Sequence, residues 1–161
     1  MRAPAEVVSR SREAVQWYQA HVPPWLRIAL TVGWAGFIWW LSSQPSVPKP
    51  TAAIFSHLWN LGHVVVFGVL AGLVLLSTQG CTGPWAIVAV LVAGTYGVID
   101  EVHQGAVEGR SMDPWDVCSD SLGACLMAFG LCWVVRRERW AGVFCLACLP
   151  LAAASVHMAS R

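Results

Sequence analysis

Charge is what this chain lacks first. Of its 161 residues 12% are Asp, Glu, Lys or Arg, 57% are hydrophobic, and Lys49 is the only lysine. Lys49 is also the only formal charge between Arg27 and Asp100. Soluble domains carry about 25% charged residues, so a stretch this bare cannot cover a water-exposed surface, and a one-domain membrane protein is expected. Basic clusters with interleaved aromatics are missing as well. The arginines flank apolar runs, which argues against nucleic acid as a partner. The first apolar run has no small-x-small cleavage site, so it reads as an uncleaved anchor rather than a signal peptide. Six cysteines could suggest a disulfide framework, but Cys118, Cys125, Cys132, Cys145 and Cys148 lie in or beside apolar runs. There a thiol behaves as a small hydrophobe. Cys145-x-x-Cys148 has no second pair or nearby His at ligand spacing, and helix packing outweighs redox or zinc chemistry for it. Internal repeats and low-complexity tracts are absent.

Present instead are five apolar stretches, at residues 24–41, 58–77, 84–101, 117–135 and 140–158. Each approaches the roughly 20 residues that a helix needs to cross a bilayer. The expected fold class is therefore all-α, a polytopic transmembrane helical bundle. Pro23 and Pro24 suit a helix start, and Trp39 and Trp40 suit an interface belt. Residues 42–53, with three prolines, read as an extended loop, and residues 78–83 as a short turn that makes spans two and three antiparallel neighbours. Residues 5–22 are weakly amphipathic through Val7, Ala14, Tyr18 and Val22, as in an interfacial helix.

Arginine near helix ends is retained on the cytoplasmic side. Arg2, Arg10, Arg12 and Arg27 precede span one, and Arg136, Arg137 and Arg139 follow span four. Four spans between the clusters put both on one side, so the N-terminus is expected to be cytoplasmic and the loop 102–115 extracytoplasmic.

Six of the nine acidic residues, Asp100, Glu101, Glu108, Asp113, Asp116 and Asp120, fall between residues 99 and 120. Ionisable groups at mid-bilayer cost about 2.5–3.5 kcal/mol each on insertion scales, so this gathering is not accidental. Tyr96, Asp100 and Gln104 stack on one face of a continuing helix, and Asp116, Asp120, Gly123 and Met127 share a face of the next. Arg110, between them, is the expected counter-charge. Span two contributes His57, Asn60 and His63, with His63 deepest. A lone His in an apolar helix is usually a hydrogen-bonded packing residue. With carboxylates expected from two neighbouring spans, function outweighs packing for His63. Glu108 and Asp113 read as solvated loop charges. Gly68 and Gly72, and Gly123 and Gly130, read as close-packing positions. The ten Trp are accounted for mainly by interface anchoring, with Trp115 the one candidate ligand contact.

Asn60, His63 and Phe67, then Tyr96, Gly97, Asp100, Glu101 and Gln104, then Gly109, Arg110, Asp116, Asp120 and Gly123 carry a resemblance in this order. The chain resembles the VanZ-like family of small polytopic membrane proteins over residues 35–135. The resemblance implies a four-helix core to which a fifth C-terminal transmembrane helix is added. The expected division is a cytoplasmic or interfacial segment at 1–23, a VanZ-like core at 24–135, and a basic turn with the extra helix at 136–161. The resemblance also implies a cell-envelope setting linked by family to teicoplanin resistance, and no particular reaction. Asn60 stands where the family often has Lys, and Asp120 where it commonly has Asn.

Two readings of the cluster stay open. In the first it is a site of six residues, His63, Glu101, Gln104, Arg110, Asp116 and Asp120, that binds or modifies an amphiphilic envelope molecule such as a lipid or lipid-linked precursor. Glu101 would be general acid or base with His63 as its partner. Arg110 would grip a phosphate or carboxylate. Asp116 and Asp120 would orient Arg110 or bind a divalent cation, Mg or Mn. Gln104 would orient Glu101 or the ligand. In the second the cluster locks three helices together in a structural or accessory subunit of a larger membrane assembly. One Arg against several carboxylates leaves an acidic surplus, which favours the site. Proton or ion passage ranks last, because the acids gather at one membrane face.

Overall fold

The computed structural model describes residues 5–45, 53–78 and 80–159. Among them there are six helices and no strand: α1 Ala5–His21, α2 Pro24–Ser42, α3 Ala53–Ser77, α4 Gly83–Gln104, α5 Pro114–Arg136 and α6 Arg139–Ala159. The all-α bundle expected from hydropathy is thus the fold. Proline stands in the first turn of α2, α4 and α5, where its missing N–H costs nothing. The side chain of Asp113 caps α5 by accepting from Trp115 N at 2.9 Å.

Among the described residues four segments are long and apolar enough to cross a membrane: Asn60–Ser77 in α3, α4, α5, and Arg139–Met158 in α6. The span expected at 24–41 corresponds to α2. It carries Arg27 and the exposed tryptophans Trp25, Trp39 and Trp40 and is not among those four, although its 19 residues measure about 28 Å along the axis. The loop expected at 42–53 shortens at both ends, because α2 runs through Ser42 and α3 begins at Ala53; residues 46–52 lie outside the described residues. Likewise α4 continues to Gln104 and α5 begins at Pro114, so the expected loop 102–115 is in fact residues 105–113.

α2 packs along the second half of α3. Arg27 Nη1 donates to Leu76 O, Thr31 meets Ser77, and Trp34 Nε1 donates to Val66 O. It runs antiparallel to α3 and parallel to α4, which it meets at Tyr96 and Asp100. α3 and α5 touch backbone to backbone. A Cβ added at Gly123 would collide with the Val64 carbonyl, and one added at Gly68 would sit 3.1 Å from Gly123 O. Small residues at such spacing drive helix association in lipid, where there is no hydrophobic force between helices. One face of α4 is fully buried through Ala86, Ala89 and Ala93, and the same face continues into Gly97, Asp100, Glu101 and Gln104.

α1 lies across the other end of the bundle. Val8, Arg12, Val15 and Gln19 share its inner face. Val8 is buried, Val15 packs on the core, Arg12 Nε donates to Val135 O and Gln19 Nε2 to Thr78 O. This face differs from the expected one, on which Ala14 is exposed. The reason is that the last carbonyls of α3 and α5 lack intrahelical partners, and Arg12, Gln19 and Arg27 supply donors to that end of the bundle.

Candidate functional site

The expected site residues come from α3, α4, α5 and the intervening loop, and they meet at one end of the bundle. His63 lies between two carboxylates of α5: its Nδ1 is 3.1 Å from Asp120 Oδ1, and its Nε2 is 4.0 Å from Asp116 Oδ2. The i, i+4 spacing of Asp116 and Asp120 puts both on the face turned to α3. The close Gly123–Val64 approach sets that distance one turn below. Asp120 is also seated against α4, where a Cβ at Gly97 would stand 3.0 Å from Asp120 Oδ2. The glycine therefore makes room for the carboxylate.

Glu101 is 2% exposed and accepts from Asp113 N through Oε2 at 2.7 Å. It also lies within electrostatic reach of His63, Asp116 and Asp120. Asp113, read from sequence as a solvated loop charge, thus both caps α5 and ties the loop to α4. Its neighbour Glu108 is exposed. Asp100 forms a second knot. Its Oδ2 accepts from Ser42 Oγ and Gln104 Nε2, each at 2.7 Å, so the stacking of Asp100 under Gln104 is realised. Gln104 therefore orients Asp100. Arg110 donates through Nη1 to Ser42 O at 3.2 Å, and among the described residues it forms no ion pair within 4.0 Å with Asp116 or Asp120. It closes the mouth against α2 instead. Trp115 is exposed beside it in sequence terms, on the first turn of α5.

Three buried carboxylates each keep one oxygen without a hydrogen-bond partner among the described residues: Asp100 Oδ1, Glu101 Oε1 and Asp120 Oδ2. Asn60, also buried, has no partner for its Nδ2 among the described residues. Buried polar groups are ordinarily satisfied, and each exception asks for an explanation. The side chain of His57 lies outside the described residues. Among those described, no group of three or more His, Cys, Asp and Glu side chains stands where it could hold a metal ion.

Below the Asp100 knot an apolar crevice of about 430 Å³ opens between α2 and α4, with Leu70 and Val74 of α3 at its floor and Ala35, Tyr96 and Ile99 near its polar end. Trp39 stacks on His103 with ring centroids 3.8 Å apart, and Ser43 Oγ stands 2.9 Å from His103 Nε2. Ser42, Ser43 and His103 were not legible as site residues. Ser42 is one turn past Ile38 at the end of an apolar helix, and a hydroxyl placed there looks like the start of a loop.

The family model described as VanZ/LLP1 matches residues 14–136. No curated protein and no solved structure matches the chain.

Proposed function

The chain belongs to the VanZ/LLP1 family, and from that premise we propose that this multi-pass membrane protein binds or modifies an amphiphilic molecule of the cell envelope. The polar head would lie among His63, Glu101, Arg110, Asp116 and Asp120, and the apolar chain in the crevice between α2 and α4. The observation that carries this reading is that the buried carboxylates of Glu101 and Asp120 each keep one oxygen without a partner among the described residues. A network whose role is to lock helices gains nothing from unsatisfied buried oxygens, each costing about 1–3 kcal/mol. A ligand head with hydroxyl or amine donors would satisfy them. The crevice adds support, since it begins within a turn of Asp100.

In this reading His63, held by Asp120, and Glu101, held by Asp113 N, stand ready to move a proton, and Arg110 grips an anionic part of the head. The Asp100 knot with Ser42 and Gln104 fits the locking reading better, as a tie that holds α2 on α4 and fixes the mouth. α2 is read as a further span, because its 19 residues pack on α3 between Leu76 and Val66 and run on beside α4 to Asp100. The N-terminus is then cytoplasmic and the site end extracytoplasmic, with Arg12, Arg27, Arg136, Arg137 and Arg139 at the inner end.

The test is to express Glu101→Gln and His63→Ala in a host whose glycopeptide susceptibility the intact chain alters, and to measure susceptibility alongside Tm in detergent. A site predicts loss of the phenotype with each variant still folded. Retention of the phenotype with only a lowered Tm means a lock.

A further inference from the structure

At the end of the bundle opposite the carboxylates, a polar cup of about 410 Å³ opens between α1, the turn joining α3 to α4, and the end of α5. Arg12, Gln16 and Gln19 line it from α1, Gly80 and Cys81 from the turn, and Arg136 from α5. We propose that this cup binds a phosphate-bearing anion, either the headgroup of an anionic membrane lipid or a soluble phosphate compound.

The argument begins with charge. Two guanidiniums from different helices face one space, and among the described residues no acidic side chain lines it. Glu138, two residues after Arg136, is turned toward Gly83, with Oε2 3.6 Å from where a Cβ would stand there. Burial pushes the Cys81 thiol up against the opposing pull of Arg136, so the thiol stays neutral and offers no competing negative charge. The positions are also built. Arg12 is fixed by its Nε bond to Val135 O at 2.9 Å, which leaves its two terminal nitrogens for a ligand. Arg136 reaches over Gly80, where a Cβ would lie 3.1 Å from Nη2 and where φ is 150°, so the turn is free of a side chain where the guanidinium passes. A planar fork of this kind matches phosphate oxygens in a bidentate way, and Gln16 and Gln19 add amide donors. The volume falls within the range of small-ligand sites, about 300–1,000 Å³. Basic pockets between membrane helices at the charged end of a bundle are where anionic headgroups bind.

The test uses the full chain in detergent and follows thermal protection on titration with phosphatidylglycerol, with phosphatidylcholine, and with inorganic phosphate. Protection by phosphatidylglycerol but not by inorganic phosphate assigns the lipid as source. Protection by inorganic phosphate alone assigns a soluble compound, and either result upholds the anion site. Arg136→Gln should raise the concentration for half-protection about tenfold. Gln16→Glu, an exposed position that folding tolerates, should do the same by repulsion and decides the matter if Arg136→Gln does not fold. Arg139→Gln, which removes a nearby charge that does not line the cup, should change it by less than about twofold. The proposal is overturned if neither anion protects, if phosphatidylcholine protects equally, if the folded cup variants leave the midpoint unchanged, or if Arg139→Gln weakens protection as much as they do.

Discussion

Replacing Gly123 by Ala perturbs packing and site at once. A Cβ there would run into the Val64 carbonyl, with Val64 C and Cα at 2.8 Å. Ordinary carbon contacts lie near 3.5–4.0 Å, so α3 and α5 must part by roughly 1 Å. The same displacement carries Asp120 away from His63, and a contact of 3.1 Å becomes about 4 Å, beyond hydrogen-bond length. Overpacking costs about 1–3 kcal/mol, and losing a hydrogen bond to a charged group a further 1.5–3 kcal/mol or so. At roughly 2–4 °C per kcal/mol for a chain of this size, Tm should fall by about 5–24 °C. Gly36→Ala is the comparison, because a Cβ at Gly36 meets nothing within 4 Å. It should be neutral or stabilise by about 0.5–1 kcal/mol, as expected for Gly to Ala in a helix. Thermal unfolding in one detergent, followed by tryptophan fluorescence, reads both. Tm values for the two variants within a degree or two of each other would refute the backbone-to-backbone packing of α3 on α5.

Ser42→Ala should lower Tm by several degrees, because Asp100 Oδ2 loses one of its two donors at a cost of about 1–3 kcal/mol; an unchanged Tm removes the α2–α4 tie from the account. Arg137 sits at the end of α5 with φ 58°, a conformation that costs a side-chain-bearing residue about 1–2 kcal/mol. Arg137→Gly should therefore raise Tm in the same assay. For the topology, Glu108→Cys in a Cys118→Ser background should be labelled by an impermeant maleimide in intact cells, and Arg137→Cys only after permeabilisation. The reverse pattern inverts the proposed orientation.

Apolar run length located the helices well, since a bilayer leaves little choice but helix for such segments. Periodicity also located Tyr96, Asp100 and Gln104 on one face, because helix continuation past Asp100 keeps that register. The pairing within the cluster was less legible. Arg110 was expected on Asp116 and Asp120, yet it reaches a backbone carbonyl of α2, an acceptor that no side-chain pattern displays. Asp113 looked like a loop charge, and its capping of α5 depends on a φ/ψ outside the helix that spacing alone does not reveal. The inner face of α1 was misplaced by one position because polar Arg12 and Gln19 belong to it: they bond to orphaned helix carbonyls rather than to solvent. Hydropathy alone assigns such residues to the outside.

The central claim is that the carboxylate oxygens of Glu101 and Asp120 that lack a partner among the described residues face a ligand head. Native mass spectrometry of the protein released from nanodiscs of bacterial envelope lipid tests it most directly, with Asp120→Asn and Glu101→Gln beside the intact chain. A specific amphiphile retained by the intact chain and lost from both variants, with each still folded, is the predicted result. Equal retention by all three, or no retained amphiphile together with a collapse of Tm in the variants, would contradict it.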